Sequence, residues 1–117
     1  MGTGQERGRA AEALAAAYLG LLGFRVRATN ARIGGVEIDL VLEDGDVVAL
    51  VEVKLRSRSD YGGAAHAVDR AKRARLARAA VALERREGRP VRVDVVAVDL
   101  DLDEARLRHI RNVRFDD

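Results

Sequence analysis

The chain has 117 residues, of which 48% are hydrophobic and 34% charged, and its net charge is +2. This balance predicts a single domain over residues 1–117. It has no cysteine and only two histidines, which excludes disulfides, thiolate catalysis and Cys-based zinc sites, so any metal must be held by oxygen ligands.

The first half of the chain is predicted to form one helix and three strands. Residues 5–22 have helical spacing, with an expected core stripe of Leu14, Tyr18, Leu21 and Leu22. Residues 24–29 alternate as a strand does, and residues 30–35, which contain two adjacent glycines, are predicted to be a loop. Residues 36–42 and 47–55 are rich in Val, Ile and Leu, and the Asp-Gly pair between them predicts a hairpin.

The second half is predicted to form a helix, a strand and an edge strand. Residues 64–87 are Ala-rich, with an expected core stripe of Val68, Leu76, Ala79, Ala80 and Leu83. Residues 91–100 have the near-continuous apolar character of a buried strand, and residues 105–115 alternate. The order helix, three strands, helix, strand predicts an α/β fold around a mixed β-sheet flanked by helices.

The predicted hairpin carries charged residues inside apolar runs, namely Glu37, Asp39, Glu52 and Lys54. Buried charge is costly unless it is paired or bound to a metal. Because side chains alternate along a strand, Glu37 and Asp39 share a face of one strand, and Glu52 and Lys54 share a face of the next.

The turn sets the relation between these two pairs. A two-residue turn at Asp44-Gly45 would place Glu37 opposite Glu52 and Asp39 opposite Leu50, and all four charges would line one face of the sheet. Asp39 and Glu52 would then be diagonal neighbours whose side chains can converge on one ion.

Two interpretations of this charged face stay open. In the first, Asp39 and Glu52 bind a hard divalent cation, Mg²⁺ or Mn²⁺, and Lys54 orients the attacking water or offsets charge on a phosphate. In the second, Lys54 forms a salt bridge with an acid on a solvated sheet face. The arginine-rich chain has only two lysines, Lys54 and Lys72, which favours a specific use of the ammonium group.

Further candidates lie on the two helices and in the strand after them. Glu12 is the only charged residue between Ala10 and Leu22, and it points either at the charged sheet face or into solvent. Asp94 is expected to be a structural acid that pairs with Arg or Lys. The second helix is a candidate contact for a nucleic-acid backbone, or an ordinary solvated face, through Lys72, Arg73, Arg75 and Arg78.

Asp39 followed by Glu52-Val53-Lys54 resembles the motif of the PD-(D/E)xK nuclease superfamily. A closer resemblance is to the YraN-like proteins, a small bacterial family within it. This resemblance follows nearly the whole chain, through Gly8-Arg9-Ala10-Ala11-Glu12, Tyr18-Leu19, Asn30, Glu37-Ile38-Asp39-Leu40, Val51-Glu52-Val53-Lys54, Arg56, Tyr61-Gly62, Val68, Lys72, Leu76, Asp94-Val95-Val96 and His109-Ile110-Arg111-Asn112.

The resemblance implies a restriction-endonuclease-like core and a metal-dependent nuclease. It implies Glu12, Asp39 and Glu52 as acidic residues of a Mg²⁺ or Mn²⁺ site and Lys54 as the catalytic lysine. The expected partner is nucleic acid, with DNA the expected form, cut in a structure-selective, resolvase-like manner. The alternative is a non-catalytic nucleic-acid-binding or DNA-processing accessory module, and the sequence leaves a homodimer open.

No stretch approaches the ~20 apolar residues of a membrane span, and no signal-peptide pattern opens the chain. The sequence therefore predicts a cytoplasmic protein without a membrane partner.

Overall fold

The computed structural model of the protein describes residues 3–57 and 70–113. The elements, in chain order, are α1 (Gly4–Leu21), β1 (Arg25–Ile33), β2 (Val36–Asp44), β3 (Val47–Arg56), α2 (Arg70–Glu87), β4 (Val91–Leu100) and β5 (Ala105–Ile110). The expected order of helix, three strands, helix and strand is confirmed, and β5 follows as the last predicted strand. The expected beginning of the second helix, residues 64–69 with Val68, lies outside the described residues.

The strands form one five-stranded sheet in the order β1-β2-β3-β4-β5. Strands β3 and β4 are parallel and the other neighbours are antiparallel. The crossover between the two parallel strands contains α2, which packs on one face of the sheet, while α1 packs on the other. The protein is therefore a mixed α/β fold whose sheet is flanked by two helices, consistent with a restriction-endonuclease-like core.

Helix α1 packs on the sheet through small residues. It begins after a capping box between Thr3 and Glu6, and its buried residues are Ala11, Ala15 and Leu19. These follow the i, i+4, i+8 spacing of one helix face, and the two alanines let the helix axis approach the sheet closely.

The core stripe expected for this helix is wrong. Leu14 is 41% exposed, Leu21 87% and Leu22 55%, and Tyr18 is only partly buried. Helical spacing identified a helix correctly, but the larger leucines do not lie on the face that meets the sheet.

Helix α2 packs as predicted. Leu76, Ala79 and Leu83 are buried in a core with Ile38 and Leu50 of the sheet, and Ala80 packs beside them. Most polar residues of α2 are exposed outside this contact, and one of its partly buried residues, a lysine, belongs to the candidate site.

The sheet changes face at Asp39, and this local irregularity positions the site. Ile38 is buried in the α2 core and Leu40 in the α1 core, although residues two apart in a regular strand share a face. In β1, Thr29 pairs with Leu40 and Ala31 with Ile38, so the residue beside Asp39 is Asn30.

Asn30 adopts a left-handed backbone with φ of 51°, a conformation that asparagine tolerates better than most residues. The loop predicted for residues 30–35 is therefore wrong over its first four positions, because β1 continues through Asn30 to Ile33. The turn itself is Gly34-Gly35, both with positive φ as the sharp reversal requires.

Candidate active site

The β2–β3 hairpin brings Asp39 and Glu52 together. Leu40 pairs with Val51, and continuing this register places Asp39 beside Glu52. The Asp39 carboxylate accepts a hydrogen bond of 2.8 Å from the Val53 backbone N–H, which holds it across the junction between the strands.

The predicted register is wrong by two residues. Asp44 pairs with Val47, so the turn residues are Gly45 and Asp46 and not Asp44 and Gly45. Gly45 has a φ of 60°, which suits the first position of a tight hairpin turn. Because the shift is even, the expected convergence of Asp39 and Glu52 is retained, whereas the expected pairing of Asp39 with Leu50 is not.

Glu37 lies apart from Glu52, so the expected face of four charges is wrong, although the charge of Glu37 still raises the pKa of Asp39 and of Glu12. Its neighbours Val36 and Ile38 are buried against α2, and the exposed Glu37 side chain therefore faces the α1 side. There it borders a groove of about 620 Å³ that is also lined by Gln5, Gly8, Arg9, Glu12 and Asn30. The change of face at Asp39 separates Glu37 from Glu52.

Glu52 is a buried carboxyl whose negative charge is only partly compensated by neighbouring groups. The residue is 8% exposed, and Lys72 Nζ of α2 lies 3.5 Å from its Oε1 atom. That oxygen is buried and makes no hydrogen bond within the described part of the chain. Burial, followed by the charge of Asp39, raises the pKa of Glu52 to about 7, against the opposing effects of Lys72 and Lys54.

The other two acids share this environment. Burial raises the pKa of Asp39, while the Val53 N–H and the charge of Lys72 lower it. Burial also raises the pKa of Glu12, and so does the charge of Asp39, whereas the Asn30 side chain lowers it. Glu12 approaches Asp39 from α1, and Glu52 approaches it from the α2 side.

The two lysines reach the acids from different elements. Lys54 follows Glu52 by two residues on β3, so it lies on the same face, and it is partly buried. Lys72 lies in line with Leu76, Ala79 and Leu83 on the sheet-facing side of α2, where it pairs with Glu52.

The four basic residues predicted to contact nucleic acid therefore do not share one surface. Lys72 lies in the acidic site, Arg73 is partly buried, and Arg75 and Arg78 are exposed on α2. Lys72 lies in the site because its side of the helix faces the sheet, where its ammonium group interacts with the negative charges of Glu52 and Asp39.

Sequence reasoning missed an ion-pair system next to the site. Arg56 Nε lies 2.8 Å from Asp99 Oδ1, with both side chains buried, and Arg108 approaches the same carboxylate at 3.6 Å. Arg56 and Asp99 are paired across β3 and β4. The only signal in the sequence was a charged residue at the end of each apolar run.

The expectation for Asp94 is correct, since it is a structural acid. It is fully buried and bonds to Arg92 Nε at 3.0 Å, His109 Nε2 at 2.8 Å and the Asn112 backbone N–H at 2.8 Å. Burial alone would raise the pKa of Asp94, but these hydrogen bonds hold it below its ordinary value.

The donor set fits a cation that keeps water ligands. Within residues 3–57 and 70–113, no three Asp, Glu or His side chains are clustered closely enough to hold a metal ion by themselves. Asp39 and Glu52 supply two carboxylates, and the buried Oε1 of Glu52 still lacks a hydrogen bond. Mg²⁺ is commonly bound by one or two carboxylates together with several waters, so these residues fit Mg²⁺ or Mn²⁺.

Comparison with known sequences places this arrangement in a family. Residues 11–98 match the uncharacterised protein family UPF0102. The chain belongs to the UPF0102 family. The match includes Glu12, Asp39, Glu52 and Lys54, and it confirms the expected YraN-like family.

Individual UPF0102 relatives are similar over most of their length. A UPF0102 protein of Halorhodospira halophila is 48% identical over 95 residues, which cover 81% of this chain and 78% of the relative. Another, of Dehalococcoides mccartyi, is 39% identical over 92% of both chains. A third, of Renibacterium salmoninarum, is 41% identical over 97% of this chain and 99% of the relative.

The helices in the described part of this UPF0102 chain are too short or too polar to span a membrane.

Proposed function

We propose that the protein is a metal-dependent nuclease that hydrolyses phosphodiester bonds in nucleic acid, with DNA the expected form. The observation that carries this proposal is the buried pair Asp39 and Glu52, with Lys54 and Lys72 beside it. A buried carboxyl whose pKa is raised by burial and by the charge of a neighbouring carboxyl is a costly arrangement. Such an arrangement is typical of functional sites.

The residues divide into a cation-binding set and a phosphate-facing set. Asp39 and Glu52 would hold Mg²⁺ or Mn²⁺, with Glu12 as a further acid that acts directly or through water. When bound, the cation supplies Lewis-acid stabilisation of charge on the scissile phosphate. Lys54 orients the attacking water and stabilises the negative charge that develops on the phosphate.

Lys72 has a separate role in this proposal. Its ammonium group compensates the acids of the cation-free site, so that Asp39 and Glu52 stay close despite their like charge. Lys72 is therefore assigned to charge balance within the site and not to the outer surface of α2.

The test combines calorimetric titration of MgCl₂ or MnCl₂ with cleavage assays on duplex, single-stranded, flap and four-way-junction DNA. We expect cleavage of at least one substrate by the wild type. Asp39→Asn, Glu52→Gln and Lys54→Met should each reduce the rate by roughly 10²-fold or more, and the first two should also abolish the heat of metal binding.

The controls separate chemistry from folding. Asn at position 39 retains an oxygen that can accept the Val53 N–H, so the hairpin is expected to persist in that variant. Glu84→Gln is the matched control, because this acid is exposed on α2, twelve residues beyond Lys72 and away from Asp39 and Glu52. Wild-type protein that binds no metal and cuts no substrate contradicts the proposal and leaves a non-catalytic nucleic-acid-binding module. The cytoplasmic location, the structure selectivity and the homodimer stay predictions.

A further inference from the structure

The strand register arranges the charged residues beyond the site in rows across β3, β4 and β5. Glu52 pairs with Val95, which pairs with Ile110. In the next row, Lys54 pairs with Ala97 and Ala97 with Arg108. In the last row, Arg56 pairs with Asp99 and Asp99 with Arg106.

All three rows lie on the α2 side of the sheet, because Val95 and Ile110 pack into the α2 core and paired residues share a face. Lys54, Arg56, Arg106 and Arg108 together form a patch that we call the basic strip. It begins directly beside Glu52 and ends on the outer strand β5.

The basic strip presents its charge outward on β5. The Arg106 side chain is 78% exposed and that of Arg108 is 53% exposed. Asp99, in the middle of the last row, contacts Arg56 of its own row and Arg108 of the row before, which fixes these guanidinium groups with respect to the sheet. The patch contains four cations and two acids, namely Asp99 and Glu104, the exposed partner of Arg106. Its net charge is therefore positive.

The length of the basic strip corresponds to several phosphate spacings along one strand of a nucleic-acid duplex. Glu52 and Arg106 are separated by two strand spacings across the sheet and about four residues along it, which corresponds to about 16 Å. Phosphates of one duplex strand advance about 3.4 Å along the axis per step, so the strip spans about five steps. Arginine is well suited to phosphate because its guanidinium group donates in a planar fork.

We propose that the basic strip contacts the phosphates of a DNA duplex on one side of the cleaved bond. This inference rests on the proposed nuclease function, since that function supplies the bond beside Glu52 and Lys54. Neutralising phosphates along the strip releases counterions and so contributes affinity without reading the base sequence.

The exposed arginines of α2 are the competing surface. Arg75 and Arg78 lie three and six residues beyond Lys72, about 4.5 and 9 Å farther along the helix axis, but both are exposed outside the contact between α2 and the sheet. The basic strip, by contrast, lies on the sheet itself and is continuous with Lys54 of the site through the row Lys54–Ala97–Arg108. The structure therefore favours Arg106 and Arg108 over Arg75 and Arg78.

The experiment measures binding without cleavage. A fluorescein-labelled duplex long enough to span the strip is titrated with the full chain in EDTA, and the anisotropy is followed at several salt concentrations. Arg106→Glu/Arg108→Glu should weaken binding by about 10-fold or more at low salt and reduce the salt slope by about two. Arg25→Glu/Arg32→Glu, on the opposite edge strand β1, makes the same change in net charge and is the matched control, which should bind as the wild type does.

A neutral pair of substitutions guards against a folding artefact. Arg106→Gln/Arg108→Gln avoids placing a carboxylate next to Asp99, and it should weaken binding in the same direction with an unchanged melting temperature. Wild-type affinity in both double variants overturns the inference. Loss of binding on Arg75→Glu/Arg78→Glu with no loss on the β5 substitutions overturns it as well, because the contact would then lie on the helix.

The two proposals fail in different ways. A wild-type protein that binds duplex in EDTA through Arg106 and Arg108, but cuts nothing with Mg²⁺, contradicts the nuclease function while supporting the contact surface. A wild-type protein that cuts DNA, with β5 variants that bind as tightly as it does, supports the function and overturns the basic strip. Wild-type protein that binds no duplex overturns the basic strip directly.

Discussion

The pH dependence of stability tests the electrostatics of the site directly, because Glu52 is buried beside another carboxyl. Its pKa rises from 4.5 to about 7 on folding. Between these values the unfolded chain releases the proton while the folded chain retains it. The free energy of unfolding therefore decreases as the pH rises through this window, and Glu52 causes no further decrease above it.

The magnitude follows from the size of this shift. Each pKa unit corresponds to about 1.4 kcal/mol, so the interval from 4.5 to about 7 corresponds to about 3 kcal/mol of lost stability at alkaline pH. Glutamine at position 52 has the same shape but does not ionise. Glu52→Gln should therefore match the wild type near pH 4.5 and exceed its stability by about 1–3 kcal/mol at pH 8.

The assay is thermal unfolding followed by circular dichroism, in EDTA, from pH 4.5 to pH 8.5. For a domain of this size the expected gain corresponds to an increase in melting temperature of up to about 10 °C at pH 8. Glu84→Gln is the control, since its carboxyl is exposed on α2 away from the site and the substitution should leave the pH profile unchanged. If Glu52→Gln loses stability with pH as steeply as the wild type does, the assignment of the unfavourable charge to Glu52 is wrong.

Two further predictions concern the packing of the fold. Leu19→Ala should lower the free energy of unfolding in urea by about 2–5 kcal/mol, because Leu19 is fully buried. Leu21→Ala should change it by less than about 0.5 kcal/mol, because Leu21 is 87% exposed. Equal effects of the two substitutions would contradict the packing face of α1. Asp94→Ala should cost about 3–5 kcal/mol, because it leaves the partly buried Arg92 with Asp44 alone as counter-charge and the buried His109 without its hydrogen-bond partner. The exposed Asp103→Ala is its control, and a cost for Asp94→Ala as small as that of the control would contradict the structural role of Asp94.

The hairpin shows what sequence patterning can predict about this site. Acids inside apolar strands and an Asp-Gly turn were enough to expect that Asp39 and Glu52 converge. The register was wrong by two residues, because Gly45 and Asp46 form the turn. Both turns contain two residues, and only the backbone conformation of the folded hairpin selects between them.

The position of Glu37 could not be predicted from strand alternation. The rule that alternate residues share a face fails at Asp39, because the adjacent Asn30 adopts a left-handed conformation in the middle of β1. An asparagine tolerates this conformation, but its presence does not by itself indicate it. The glycines that follow are a stronger signal for a turn than Asn30 is. The distortion depends on packing against two helices, which is a tertiary property.

The face of helix α1 that packs on the sheet could not be predicted from the sequence pattern either. Its spacing predicts a helix, but the sequence offers one face with leucines and another with alanines and Leu19. The face with alanines packs on the sheet. Small side chains let the helix come close to the sheet, and this buries more of the sheet surface than larger side chains would allow. Hydrophobicity alone favours the wrong face.

The order of the elements along the chain also determines when the acidic site is assembled during folding. Asp39 and Glu52 lie on adjacent strands joined by a two-residue turn, and such local contacts form early because little chain has to be closed. Lys72 belongs to α2, which is positioned only when the crossover to the parallel strand β4 is complete. We therefore expect the carboxyls to meet before Lys72 arrives, so that docking of α2 both buries Glu52 and supplies the ammonium group that offsets part of this burial.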